Sequence, residues 1–130
     1  MTSEMALQQA QLERFLERVR REGGAEPPVQ LDTILLPHQQ RRFRWIKEHV
    51  TGTVLECGCS WGYLLAWVGG HAGLDINPQL IELARLLARN REFRVGDVRS
   101  IPWEQNSFDT VLLTDCLEHI PWEDVGVAIG

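Results

Sequence analysis

The sequence predicts an α/β fold, a mainly parallel sheet layered with helices, and three observations carry that prediction. From Thr53 onward, short apolar, partly β-branched runs alternate with segments of helical periodicity. The runs are apolar almost throughout, as in TVLL at 110–113, which suits strands covered on both faces. Small and acidic residues gather where those runs end.

Residues 1–36 read as an N-terminal helix and linker. Met5, Leu12, Phe15, Leu16 and Val19 recur at helical spacing, Ser3 can cap the start, and Arg18, Arg20 and Arg21 occupy the last turn before Gly23 and Gly24. Pro27 and Pro28 then break the periodicity. Residues 37–130 read as the α/β domain. A second helix is expected from about Pro37 to Val50, with Phe43, Ile46 and Val50 inward, Gly52 as its stop and the arginines at 41, 42 and 44 solvated. Trp45, Trp67 and Trp122 are expected to pack.

TVLEC (53–57) is the first strand, followed by the loop from Gly58 to Gly62 and a brief helix, YLLAWV. HAGLDIN supplies a second strand ending at Asp75. Asn77 caps the next helix, Pro78 takes its first position, and Leu80, Ile81, Ala84 and Leu87 form its apolar face. A third strand, EFRVGD, and a fourth, FDTVLLTD, complete the rhythm, with Asp109 at the far end of the fourth read as structural. Strands separated by helices pair in parallel through right-handed crossovers, giving a Rossmann-like three-layer sandwich with strand order 3-2-1-4, preceded by N-terminal helices.

A net charge of −5, with Arg interleaved with Glu, argues against the clustered basic face that bulk nucleic-acid binding requires and points to a small or neutral partner. Cys57, Cys59 and Cys116 make an odd number, and the N-terminus shows no secretory or membrane-spanning apolar run. A reducing, cytoplasmic setting without membrane association is expected.

In an open α/β sheet the ligand crevice lies beyond the carboxyl ends of the strands. Glu56, Gly58, Ser60 and Gly62 follow the first strand, Asp75 the second, Asp97 the third, and Thr114, Asp115 and His119 the fourth. Asp75, seventeen residues past Gly58, is placed like an acid that accepts hydrogen bonds from a ribose. The dinucleotide fingerprint G-x-G-x-x-G would need glycines where Ser60 and Tyr63 stand, so a nucleoside without a diphosphate fits better.

VLECGCSWG resembles the loop VLEVGCGTG of class I S-adenosylmethionine-dependent methyltransferases, and GLDINPQLIELAR resembles their GVDISPEMLELAR segment. RVGDVRSIPWEQNSFDTVLLTDCLEHI resembles the stretch with LPFPDNSFDVV and LEHI of the type 11 methyltransferase domain. The likeness covers about Leu36 to the end. It implies that Glu56, Gly58, Ser60 and Gly62 surround the methionine part of S-adenosylmethionine, that Asp75 holds the ribose hydroxyls and that Asp97 meets the adenine amino group. It further implies that Ile76 and Val98 flank the adenine, that the backbone near Thr114 lines the sulfonium side, and that Leu117 helps close the site. The methyl group would pass in line to a small-molecule acceptor, leaving S-adenosylhomocysteine, with no metal and no covalent catalyst required. His119 is the nominee for a general base, needed only where the acceptor loses its proton early. Ser60 departs from the glycine usual there but keeps the side chain small.

Three other readings stand beside this one. Gly58, Ser60 and Gly62 also spell G-x-S-x-G, the elbow of a serine hydrolase, with His119 downstream, although no HGGG-like oxyanion run exists. Cys57, Cys59, Cys116 and His119 could meet as a zinc site, but Cys57 and Cys59 alternate along the chain, and small buried thiols are common in cores. A non-catalytic cofactor-binding or interaction domain of the same fold is the third. Trp61 and Trp103 could cover a cofactor or an apolar acceptor, yet large aromatics beside turns more often cap a core. The family pattern continues with a fifth strand beside the fourth, so a truncated product is expected, or a homodimer covering the open fourth-strand edge.

Overall fold

Strands of four residues are too short to hold a sheet by themselves, and here they do so by pairing in register along a parallel stack. In the computed structural model, which describes residues 3–22 and 34–113 and side chains from Ala6 onward, the strands are β1 (Val54–Cys57), β2 (Ala72–Asp75), β3 (Glu92–Val95) and β4 (Thr110–Leu113). They run parallel in the order β3-β2-β1-β4, as the sequence rhythm predicts. Glu56 of β1 aligns with Gly73 of β2 and with Leu112 of β4, which puts it in the middle of the sheet. Thr114, Asp115, Cys116, Leu117, His119 and Trp122 lie outside the described residues.

The helices described in full alongside the sheet are α1 (Ser3–Arg21), α2 (Pro37–His49), α3 (Tyr63–Val68) and α4 (Pro78–Leu87). The start of α4 follows the expected chemistry, since Asn77 Oδ1 accepts the Gln79 N–H at 2.9 Å and Pro78 needs no donor. α2 stops at His49, before the expected Gly52. Gly52 instead turns the chain into β1 at φ +62°. There Thr53 donates its backbone N–H (2.8 Å) and its hydroxyl (3.0 Å) to Asp109 Oδ2, tying the start of β1 to the start of β4. The backbone donor first, then the hydroxyl, holds the Asp109 carboxyl below the ordinary carboxylate range.

Alternation along β1 divides the core. Leu55 and Cys57 join Ala72, Leu74 and Val98 on one face, where the β3–β4 connection adds Ile101, Trp103 and Phe108. The other face meets the helices through Leu65, Ile81, Ala84 and Phe93. α1 adds Leu12, Phe15 and Val19 to a further cluster with Phe43, Ile46, Trp61, Leu64 and Leu83. Burying such side chains contributes roughly 1.5–3 kcal/mol each, so these clusters hold the short strands in place.

Trp45 corrects the expectation of packing. It is 61% exposed and stacks on His49 at a 4.0 Å centroid distance, because α2 turns Gln40, Phe43 and Ile46 inward and position 45 falls on the opposite ridge.

Candidate functional site

The loop after β1 doubles back on β2 because its backbone donors have one acceptor within reach. Gly58 and Cys59 both donate N–H to the Leu74 carbonyl, at 2.7 and 3.0 Å. That fold requires left-handed backbone at three alternate positions, Gly58 (φ +77°), Ser60 (φ +55°) and Gly62 (φ +84°). Gly suits such angles, whereas a left-handed Ser costs roughly 1–2 kcal/mol. The sequence departure at Ser60 therefore falls on a position whose backbone favours glycine.

Asp75 finishes the construction of the loop. One carboxylate oxygen accepts the Ser60 N–H and the other the Asn77 N–H, each at 2.9 Å, so a single side chain joins the β1 loop to the entry of α4. An ionised carboxylate has about four acceptor positions, and two remain for a ligand. Gly73, which sequence reasoning passed over, lets this happen: a Cβ there would stand 2.8 Å from both the Cys59 thiol and the Phe93 ring. The signal was a glycine inside a strand, which marks close approach of neighbouring groups.

Glu56 is 2% exposed at the middle of the sheet, below the loop. Burial pushes the Cys59 thiol far up, and the charges of Glu56 and Asp75 push it further. Cys59 is therefore a thiol, not a thiolate, and packs with Leu65 and Phe93, while Cys57 packs on the opposite face of the sheet. The two cysteines point apart. Among the described residues no three His, Cys, Asp or Glu side chains come together as metal ligands, and Cys116 and His119 lie outside those residues.

At the end of β3, Asp97 is clasped by Arg99. The guanidinium donates through Nε to both carboxylate oxygens (3.0 and 3.1 Å) and through Nη2 at 2.6 Å, and the Arg99 backbone N–H adds a fourth bond at 2.9 Å. The side-chain bonds first, then the backbone bond, pull the carboxyl down to about 2. The two residues expected to flank an adenine differ: Ile76 is 67% exposed beside Asp75, and Val98 is buried with Leu55 and Leu74. Thr114, Leu117 and His119 fall outside the described residues.

The aromatics take the core-capping role. Trp61 is buried and stacks on Phe15 of α1, with centroids 5.3 Å apart and planes 8° apart. Trp103 donates its indole N–H to Glu92 and meets Phe108 edge-on at 5.6 Å, under the Arg94 guanidinium. Ser60 donates its backbone N–H to Asp75, no histidine among the described residues bonds its hydroxyl, and His119 lies outside those residues.

Two outcomes test this geometry. Ser60→Gly is expected to retain or raise stability by up to about 1 kcal/mol in urea denaturation, whereas Ser60→Val is expected to lose more than about 1 kcal/mol, because a β-branched side chain resists φ +55°. Equal stability of the two variants would refute the strain at Ser60. Because Asp97 titrates at about 2 rather than at the ordinary 3.8, its clasp contributes fully above about pH 4 and is lost as pH falls through 2. Arg99→Gln is expected to move the Asp97 midpoint in a carboxyl NMR titration up towards 3.8, and an unmoved midpoint would exclude the clasp as the cause.

The comparisons with known proteins fit this geometry. A family model described as a methyltransferase domain matches residues 55–129. The chain is similar to a ubiquinone biosynthesis O-methyltransferase of Xanthomonas euvesicatoria pv. vesicatoria (strain 85-10), 30% identical over 126 residues, which cover 87% of this chain and 51% of that protein. Among solved structures, it is similar to magnesium protoporphyrin IX methyltransferase (ChlM) from Synechocystis PCC 6803 with bound SAH, at TM-score 0.57 and 27% identity, covering 87% of this chain and 58% of that one. It is also similar to the PH0226 protein from Pyrococcus horikoshii OT3, at TM-score 0.61 and 25% identity, covering 72% and 50%. The chain spans about half or less of the length of the curated relatives it matches. Since the family match begins within β1 and takes in more than half of the residues, the chain belongs to the methyltransferase domain family.

Proposed function

We propose that this chain binds S-adenosylmethionine across the carboxyl ends of β1, β2 and β3 and serves an enzyme that methylates a small molecule. The observation that carries the proposal is the carboxylate of Asp75, held against the β1 loop by Ser60 and Asn77 with acceptor positions to spare. Around it the site is acidic. Glu56 lies beneath the loop and Asp97 at the next strand end, a charge pattern that repels a diphosphate and attracts a ligand bearing a sulfonium and an ammonium.

In this reading, the left-handed backbone at Gly58, Ser60 and Gly62 brings the chain close to the methionine part, with Glu56 nearby. The two remaining acceptor positions of Asp75 take the ribose hydroxyls. Ile76, exposed beside it, offers a face to the adenine, Val98 supports the other side from the core, and Asp97 is assigned to the adenine amino group from its place in the family motif, where that group would replace one bond of the Arg99 clasp. Thr114 and Leu117 are assigned to the sulfonium side and His119 to a general base, each from its place in the family motif. When bound, the cofactor supplies a methyl group already activated by its sulfonium, so the chain has chiefly to orient the ligand and exclude water. The naming of the Xanthomonas relative as a biosynthetic O-methyltransferase supports a small-molecule acceptor.

The outer edge of β4 has no strand partner among the described residues and Val111 is 48% exposed, which supports coverage of this edge by a second copy of the chain. The buried thiols Cys57 and Cys59 support a reducing, cytoplasmic setting. No helix among the described residues is long and apolar enough to cross a membrane.

Calorimetry is expected to show saturable S-adenosylmethionine binding that Asp75→Ala weakens at least tenfold, on the order of 1.4 kcal/mol or more. A folded sample that binds none would overturn the cofactor assignment. Transfer of labelled methyl to a small-molecule panel then distinguishes an enzyme from a non-catalytic binder. Light scattering is expected to return the mass of two chains, and a monomer at micromolar concentration would remove the proposed pairing.

A further inference from the structure

Away from the strand ends, α1 and the α3/α4 pair enclose a cleft of about 310 Å³ whose charge is opposite to that of the cofactor site. Arg14 and Arg18 enter it from α1, and Arg91 enters from the turn between α4 and β3, with Gln11 and Asn90 beside them. Among the described residues, no carboxylate lines it. Arg18 donates to the Leu86 carbonyl at the end of α4, which leaves four of its five N–H groups. The guanidinium groups of Arg14 and Arg91 have no ion-pair or hydrogen-bond partner among the described residues. Three guanidinium groups directed at one space, in a chain of net charge −5, make a concentrated positive field with no anion lining it among the described residues.

The cleft adjoins a smaller space of about 50 Å³: the two share Gln11, Ala66 and Leu87, and Gln8 and Trp67 also line the smaller one. Gln8 is 5% exposed, and its Oε1 is buried without a hydrogen-bond partner, as is the Trp67 Nε1. Buried polar atoms of this kind are ordinarily satisfied by a ligand or by ordered water, and about 10–15 Å³ suffices for one water. Two residues that line the smaller space thus carry one buried acceptor and one buried donor without partners, and Phe15, Ala66 and Leu87 add apolar walls.

We propose that this cleft binds a phosphate-bearing small molecule, with the phosphate between Arg14, Arg18 and Arg91 and the organic part directed towards Gln8 and Trp67. Guanidinium forks match phosphate oxygens two at a time, and three of them favour a dianion over a single carboxylate. A ligand held there bridges α1 to the end of α4, so its binding also stabilises the seat of α1 on the sheet. The site is separate from the strand-end crevice and does not rest on the reading of that crevice.

The test titrates inorganic phosphate into the 130-residue chain at constant ionic strength and follows backbone amide NMR shifts. Saturable shifts centred on Gln11, Arg14, Asn90 and Arg91 are expected, with affinity at least tenfold weaker in both Arg14→Gln and Arg91→Gln. Arg44→Gln, on the outer face of α2, is expected to bind like the parent. Arg14 and Arg44 are both exposed, so neither change threatens folding, and retained amide dispersion confirms it. Absence of saturation in the folded parent, or equal weakening by Arg44→Gln, would overturn the site. Tighter binding of acetate than of phosphate would overturn the phosphate assignment. Because none of the residues that line the cleft is assigned to the strand-end crevice, S-adenosylmethionine affinity measured in the same variants is expected to be unchanged.

Discussion

Asp75 accepts one N–H from Ser60 on one oxygen and one from Asn77 on the other, and both ends of the site hang on that bridge. The β1 loop could not fold back without acceptors for its orphan donors, because backbone groups near a core must be paired. Leu74 takes two of them and Asp75 the third. The same carboxylate fixes the backbone just ahead of α4, so the loop and the helix are positioned together. Gly73 makes the arrangement possible, since a side chain there would strike the Cys59 thiol that lies beneath the loop.

The charge of the molecule is divided in space more sharply than its net value suggests. Glu56, Asp75 and Asp97 stand at successive strand ends, and Arg14, Arg18 and Arg91 stand behind the helices on the far side of α3 and α4. Coulomb interaction decays over about 8–10 Å in physiological salt, so each group sets its own local preference for ligand charge. An acidic crevice suits a cationic cofactor, and a basic cleft suits an anion.

Packing explains why α1 belongs to this arrangement. Trp61 lies in the loop between β1 and α3, and its ring stacks flat on Phe15, so the helix covers the outside of the loop that shapes the site. An aromatic pair of this kind contributes about 0.5–1.5 kcal/mol beyond its buried area. A loop strained at Ser60 needs such support, because left-handed backbone persists only where its surroundings over-determine it.

Local chemistry made much of the fold and site legible in the sequence. Short, nearly continuous apolar runs between helical stretches placed the four described strands, the Asn77-Pro78 pair placed the start of α4, and the acids at the strand ends marked the crevice, because each signal depends only on near neighbours in the chain. Other features were not legible, since they depend on which faces meet. Trp45 lies outward and Trp61 inward although both are tryptophans beside apolar residues, and only the packing of α2 and α1 decides between them. Nothing local in the chain groups arginines 14, 18 and 91: Arg91 lies 73 positions beyond Arg18 in sequence and beside it in space. The sequence by itself determined the elements, their order and the acids that end them, because those follow from periodicity and local hydrogen bonding. The tertiary structure alone decided the bridge from Asp75 to Ser60, the seat of α1 and the basic cleft, because each joins groups that chain connectivity leaves far apart.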